Sequence, residues 1–432
     1  MRETGEILVD VECDNHQRIR RATISNERVP GVIDRLALTP GVDLRQTVPL
    51  LYSLCPAAHL VTLDAAERAA AGITEDDRRA VDFGFAERAL MFEALLENIR
   101  LLVIDSARLL SLEVDPQALT EYAALRAQFA GVLHTLGSFK MLTKPVDASA
   151  IERGHATIDQ VWAPLQNLLT NYLFSVTPVD YLKSLTDIKT FDAWVDANAK
   201  RPVSVLATRY DALEDAFGHM DCPMLPDVGD DDFSIFADEM LHRLKNEPGF
   251  DMTPVWRRAP ALTGALPRQI AHPLVREMVD CEGMTAKAIL ASRLLETASL
   301  HTCLGRDVPT DIEGLSGPYH VYTHFDKDQS VAISMTQSAR GLLTHATGFR
   351  STENGLRRFH AVVSPTEWQF APEGPGQQAL NAVIRYLKRT KTDHCDAGIT
   401  SIIRLALFGL DPCVPLSVRL RRTNVIHRGF DL

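Results

Sequence analysis

The chain has 432 residues, 46% of them hydrophobic, and a formal net charge of −11. That length and apolar content predict a globular protein of two or three lobes sharing a core, and the acidic balance excludes a nucleic-acid binder, which needs a basic face for phosphate. The absence of about 18 uninterrupted apolar residues argues against a membrane span, the start lacks the apolar core of a secretory leader, and seven scattered cysteines predict reduced cytoplasmic thiols.

Residues 6–29 alternate apolar and polar side chains, which predicts a β-hairpin turning at Asp14-Asn15. Pro30-Gly31 breaks the strand, and a short helical or loop segment leads to Cys55. From Ala57 the period becomes helical. Thr74-Glu75-Asp76-Asp77 are expected to cap a helix running to about Leu112, buried on several sides around Leu101–Ile104. Further helices are expected near 115–137, 148–174, 209–219, 234–246, 268–302 and 375–389, with short strands at 318–324, 330–336 and 359–363. The segment Cys222–Asp232, rich in Pro and Asp, predicts a surface loop. The class is helix-dominated α+β, with strands at the amino end and in the last third.

Two half-pairs of cysteine stand at opposite ends of the chain. Tyr52-Ser53-Leu54-Cys55 precedes His59, and Asp411-Pro412-Cys413-Val414-Pro415-Leu416 precedes Arg419. Each thiol is by itself either a small core residue or a ligand. His59 is either a satisfied core histidine or a neighbour that shields the thiols. Arg340, between Ala339 and Gly341, reads as a surface arginine or as a residue whose small neighbours admit a ligand. His394-Cys395 beside Asp393 reads as a loop surface, while His16, His301 and Cys303 have no convergent partners in the sequence. Arg404, Arg419, Arg421 and Arg422 form a basic carboxyl end, either a solvated face or a docking patch.

Together these segments resemble the [NiFe] hydrogenase large subunit, whose pattern is Cys-x-x-Cys-x-x-x-His near the amino end and Asp-Pro-Cys-x-x-Cys-x-x-His/Arg near the carboxyl end. Ser338-Ala339-Arg340-Gly341-Leu342-Leu343-Thr344-His345 resembles its Ala-Pro-Arg-Gly-x-x-x-His segment. Ser364-Pro365-Thr366-Glu367-Trp368 resembles its Pro-Thr-Thr-Trp segment, and Val29–Ile33 stands where the family has Arg-Gly-x-Glu. The resemblance implies a large-subunit-like helical core with a small amino-terminal β-hairpin or sheet: a β-rich lobe over 1–50 and a mainly helical body over 51–432.

The departures from that pattern are specific. Tyr52 and Leu416 replace one cysteine of each pair, and Ile33 replaces the glutamate that carries protons from the metal. Nickel needs soft thiolates and proton traffic needs a relay, so hydrogen turnover is not expected. The chain is thereby similar to the HupK/HoxV group of hydrogenase maturation proteins. That resemblance implies a non-enzymatic scaffold holding an Fe(CN)2CO unit through Cys55 and Cys413, without nickel. Arg340, Thr366 and His59 would serve the diatomic ligands. The implied partners are a hydrogenase large-subunit precursor and small HypC-like and HypD-like chaperones. The alternative is a divergent redox-enzyme large subunit, hydrogenase-like or similar to the quinone-binding subunit of complex I. Under the scaffold reading, the segment Leu420–Leu432 after Arg419 is retained.

Overall fold

The computed structural model describes residues 5–14, 18–72, 83–138, 148–213, 217–305, 312, 317, 319–326, 330–352, 355–390 and 396–422. The expected cap at Thr74–Asp77, the hairpin tip with Asn15 and His16, and the group Asp393-His394-Cys395 lie outside these residues.

The alternating amino-terminal segment forms strands β1 (Ile7–Cys13) and β2 (Ile19–Asn26), paired antiparallel. The Asp14 carboxylate closes the turn by accepting from the Arg18 amide at 3.0 Å. Ile7, Val9 and Val11 are fully buried on one face, as period-two alternation requires. Seven helices follow: α1 (Val32–Ala37), α2 (Leu44–Leu51), α3 (Pro56–Ala70), α4 (Phe83–Ile99), α5 (Ser106–Leu109), α6 (Pro116–Ser138) and α7 (Ala148–Leu169). A π-helical turn at Arg100–Asp105 joins α4 to α5, and another at Thr170–Phe174 follows α7. Next come α8 (Pro178–Ser184), α9 (Ile188–Ala197), α10 (Pro202–Ala212), α11 (Phe233–Asn246), α12 (Ala265–Gln269), α13 (Pro273–Glu282) and α14 (Ala286–Leu304).

Strands β3 (Val321–Asp326), β4 (Val331–Ser338), β5 (Gly341–Thr352) and β6 (Gly355–Val363) make an antiparallel meander. Then come α15 (Pro365–Gln369), α16 (Pro375–Thr390), α17 (Asp396–Leu407) and β7 (Leu416–Arg422). Strand β7 pairs in parallel with β1, Ile7 opposite Leu416, giving a second sheet of order β2-β1-β7. Helices α3, α4 and α14 form the centre, and every residue of α14 is buried. Among the described residues no helix is long and apolar enough to cross a membrane.

Several expectations need correction. The helix expected at 268–302 is two, α13 and α14, because Gly283 at the end of α13 adopts φ 80, a left-handed value that favours glycine. The helix expected at 209–219 is α10, which starts earlier behind Pro202 at its first turn and ends at Ala212. Strands β5 and β7 and helices α8, α9 and α17 had no counterpart in the sequence reading.

Candidate functional site

Cys55 is the N-cap of α3, with Pro56 opening the first turn. Helix α4 crosses beneath it. The Glu93 carboxylate accepts from the backbone amides of Ala57 at 2.6 Å and Ala58 at 3.0 Å, so the positive end of α3 is already satisfied by an acid. Burial pushes the Cys55 thiol well above its ordinary range, the neighbouring Cys413 adds to the rise, Arg340 opposes it, and Glu93 and Glu97 raise it further. Glu93 is itself pushed up to about 8, burial outweighing its two amide donors.

Cys413 arrives from the opposite end of the chain. Asp411 sits just before it at φ 40, a strained conformation for a residue with a side chain. The Thr366 hydroxyl, in the first turn of α15, donates to Cys413 Sγ at 3.1 Å and accepts from the Cys413 amide at 3.2 Å. Arg28 reaches the same place from beyond β2. It bonds to the Ser364 hydroxyl at 3.1 Å and pairs with Glu367, whose carboxylate also closes the capping box of α15.

Arg340 occupies the turn between β4 and β5 and is 2% exposed. Its Nη2 meets Glu97 Oε2 at 2.9 Å, and its Nε donates to the Asp411 carbonyl at 3.0 Å. Its Nη1 is buried with no hydrogen-bond partner among the described residues. Asp411 is held low despite its burial by Arg340, Arg100 and Arg293, and Glu97 also meets Arg100 at 3.1 Å. The surface reading of Arg340 is therefore wrong. Gly341 does allow a close approach, but to protein: at φ 132, an added Cβ would lie 2.5 Å from Thr263 Oγ1 and 2.8 Å from the Gly264 amide nitrogen.

An open cavity of about 430 Å³ reaches the site from the surface. Cys413, Tyr52, Ile33, Arg28, Glu367 and His360 line it. Tyr52 gives the cavity an aromatic wall, stacked on His59 at 3.7 Å between ring centroids. Ile33 packs with Leu44, Val48 and Leu63 in a small apolar cluster. Leu416 begins β7. His59 does not donate to either thiol among the described residues; its Nδ1 meets His345 Nε2 at 3.0 Å instead.

The structure thus brings Cys55, Cys413 and Arg340 within electrostatic reach of one another, with Thr366 bonded to Cys413, in a buried cluster, the chamber, of which Cys413 lines the cavity. It leaves His301 against Trp162, its Nε2 3.1 Å from the Trp162 carbonyl, and Cys303 buried apart with its thiol pushed up to about 11 by burial. Two of the carboxyl-end arginines are paired, Arg421 with Asp10 at 2.6 Å and Arg422 with Asp396 at 3.4 Å. Sequence reading missed Glu93, Glu97, Arg28 and Glu367. The first two carried a signal, being carboxylates one turn apart in the apolar run Ala89–Ile99. Of the two, Glu93 bonds the amides of Ala57 and Ala58 just after Cys55, a carboxyl the sequence reading did not foresee there.

Chemically, the chamber offers two soft donors, a hydroxyl, an unpartnered guanidinium nitrogen and an apolar wall. Among the described residues no group of three or more His, Cys, Asp or Glu side chains is arranged to hold a bare metal ion. The unpartnered Nη1 is a cationic donor that a small anion could meet. No protein-family model matches the chain, and no curated protein matches it.

Proposed function

We propose that this chain is a non-enzymatic scaffold in [NiFe] hydrogenase maturation that holds or finishes an Fe(CN)2CO unit as cargo. The observation that supports this reading is that Cys55, Cys413 and Arg340 are electrostatic neighbours beside a cavity that Cys413 lines, with the Nη1 of Arg340 buried and without a partner among the described residues. Two thiolates would grip the iron, and Arg340 would donate to a cyanide. Thr366 would orient Cys413 through its hydroxyl. With Tyr52 and Leu416 in place of two thiols, nickel has no adequate set of soft ligands. Few ligands suit a carrier, which must release what it captures. A hydrogenase large-subunit precursor would receive the unit, and HypC-like and HypD-like chaperones would deliver it.

One observation favours the second reading, a divergent redox-enzyme large subunit. Glu93, pushed up to about 8, is a buried acid able to exchange a proton near neutrality beside Cys55.

Infrared spectroscopy of protein purified anaerobically from a host that makes the diatomic ligands tests the scaffold. Cyanide and carbon monoxide bands are expected, and they should vanish in Cys55→Ala and Cys413→Ala. Absence of the bands in the unaltered protein, with normal hydrogenase maturation in both variants, would sink the proposal. Stoichiometric nickel in the same sample would favour the enzyme. The thiols are the better targets because removing one partner of a buried ion pair such as Arg340–Glu97 costs about 3–5 kcal/mol of stability by itself.

A further inference from the structure

The sheet of order β2-β1-β7 has two unlike edges. On the outer side of β2 the Gln377 side chain of α16 stands in for a neighbouring strand. It accepts from the Ile24 amide at 2.8 Å and donates to the Ala22 carbonyl at 3.2 Å. That edge is covered against a further strand. The opposite edge, β7, is open. The Ile7 amide bonds the Pro415 carbonyl, and Ile7 stands opposite Leu416. In a parallel ladder this register directs the amides and carbonyls of Ser417, Arg419 and Arg421 to β1, and those of Leu416, Val418 and Leu420 away from the sheet. Among the described residues nothing hydrogen-bonds to these outward groups.

The side chains leave the same edge incomplete. Leu416, Val418 and Leu420 extend the apolar row of Ile7, Val9 and Val11. The row on β1 is fully buried, while the row on β7 is only half-buried although it packs against the same core. Arg419 and Arg421 stand on the other face of β7 and are exposed. Arg421 pairs with Asp10 at 2.6 Å, whereas Arg419 has no ion pair among the described residues. Arg404, on the neighbouring helix α17, is likewise exposed and without one. From Asp396 to Arg422 the chain holds four arginines and two aspartates, one of them the buried Asp411, in a protein of net charge −11. Charge on an edge can serve merely to repel other strands. Beside a half-buried apolar row it selects instead, admitting a strand of opposite charge.

We propose that β7 is a docking edge for a different protein, which adds an extended acidic segment to this sheet as its next strand. Backbone bonds to Leu416, Val418 and Leu420 hold the segment. Its apolar residues continue the half-buried row, and its carboxylates face Arg419 and Arg421. Val414 and Pro415, just before β7, and Gly5, just before β1, line the cavity together with Cys413. A partner held on β7 therefore stands beside that cavity, whatever the cavity admits.

Fluorescence polarisation of the full chain with two labelled peptides, each long enough to span the seven residues of β7, tests the edge. One peptide alternates valine with glutamate, the other valine with lysine. The acidic peptide should bind about tenfold or more tightly than the basic one, and the difference should shrink as salt rises. Arg419→Glu combined with Arg421→Glu should reverse that order. Val418→Pro removes an outward amide and none that bonds β1, and should weaken the acidic peptide roughly tenfold. Equal binding of the two peptides to the unaltered protein would overturn the proposal. N-methylation of the acidic peptide at alternate residues gives a test that needs no variant to fold. Methyl groups in one phase should abolish binding and in the other leave it intact, because only one edge of the peptide meets β7. Any other pattern refutes strand addition. Two further results overturn the choice of partner: peptide binding only in a chain ending at Arg422 assigns the edge to Thr423–Leu432, and dimers that the peptide dissociates assign it to a second copy.

Discussion

At the scale of single residues, the chamber is controlled by an acid placed where a helix end would otherwise activate a thiol. Glu93 occupies the Ala57 and Ala58 amides, so the positive end of α3 is engaged by this carboxyl, while burial, foremost, pushes the Cys55 thiol up, with Cys413 and Glu93 adding to the rise. The sign of its pH effect follows from linkage. Glu93 titrates at about 8 in the folded chain against an ordinary 4.5. Between those values the folded state holds more protons than the unfolded state, so this group's contribution is full below 4.5 and is lost as pH rises through 8. Glu93→Gln should flatten the fall of the thermal midpoint over that window and shift Cys55 alkylation by iodoacetamide to lower pH. Melting curves with peptide mapping of the alkylated thiol check both, and an unchanged alkylation profile would count against the account. Cys55, Cys413, Arg340 and Thr366 were legible because they sit in short sequence patterns. Glu93 and His360 were not, since only packing brings α4 and β6 to the thiols.

At the scale of elements, the sheet holding Arg340 is fixed by how closely its turn approaches the segment before α12. Leu342 N donates to Thr263 Oγ1 at 2.8 Å, and Gln369 Nε2 donates to the Thr263 carbonyl at 3.0 Å. Gly341 and Gly264 make this approach possible, at φ 132 and φ 112. Gly341→Ala combines left-handed strain with overpacking and should cost about 2–5 kcal/mol. Gly355→Ala, at φ 101 with nothing within 4 Å of the new Cβ, should cost only the strain, about 1–2 kcal/mol. Chemical denaturation of the two variants gives the comparison, and equal midpoints would refute it. The same sheet shows why sequence reading fell short here. Strand β4 is buried along its whole length and β5 over 341–348, so β5 shows no polar-apolar alternation. By contrast β1 buries Ile7, Val9, Val11 and Cys13 on one face while Asp10 and Glu12 on the other reach solvent, so its period was legible.

At the scale of the whole molecule, the amino-terminal hairpin is completed from the far end of the chain. Ile7 donates to the Pro415 carbonyl at 2.9 Å, and Ser417 bonds Glu6 across 411 residues of sequence. The Arg419–Leu420 bond lies inside β7, with Arg419 opposite Asp10 and Leu420 opposite Val11. A protease needs an extended, accessible segment, so cutting there requires β7 to peel away first. Co-expression with hydrogenase maturation proteases should leave Leu420–Leu432 in place, and intact mass spectrometry would reveal their loss. Parallel pairing between such distant strands could not be read from sequence, because each half looks complete without the other. It also imposes an order on biosynthesis. Cys413 stands three residues before β7, so the second thiol leaves the ribosome long after Cys55 and the helices that surround it. A nascent chain therefore carries Cys55 without its counterpart, and the two thiols can meet only once translation has passed Cys413 and β7 can pair with β1.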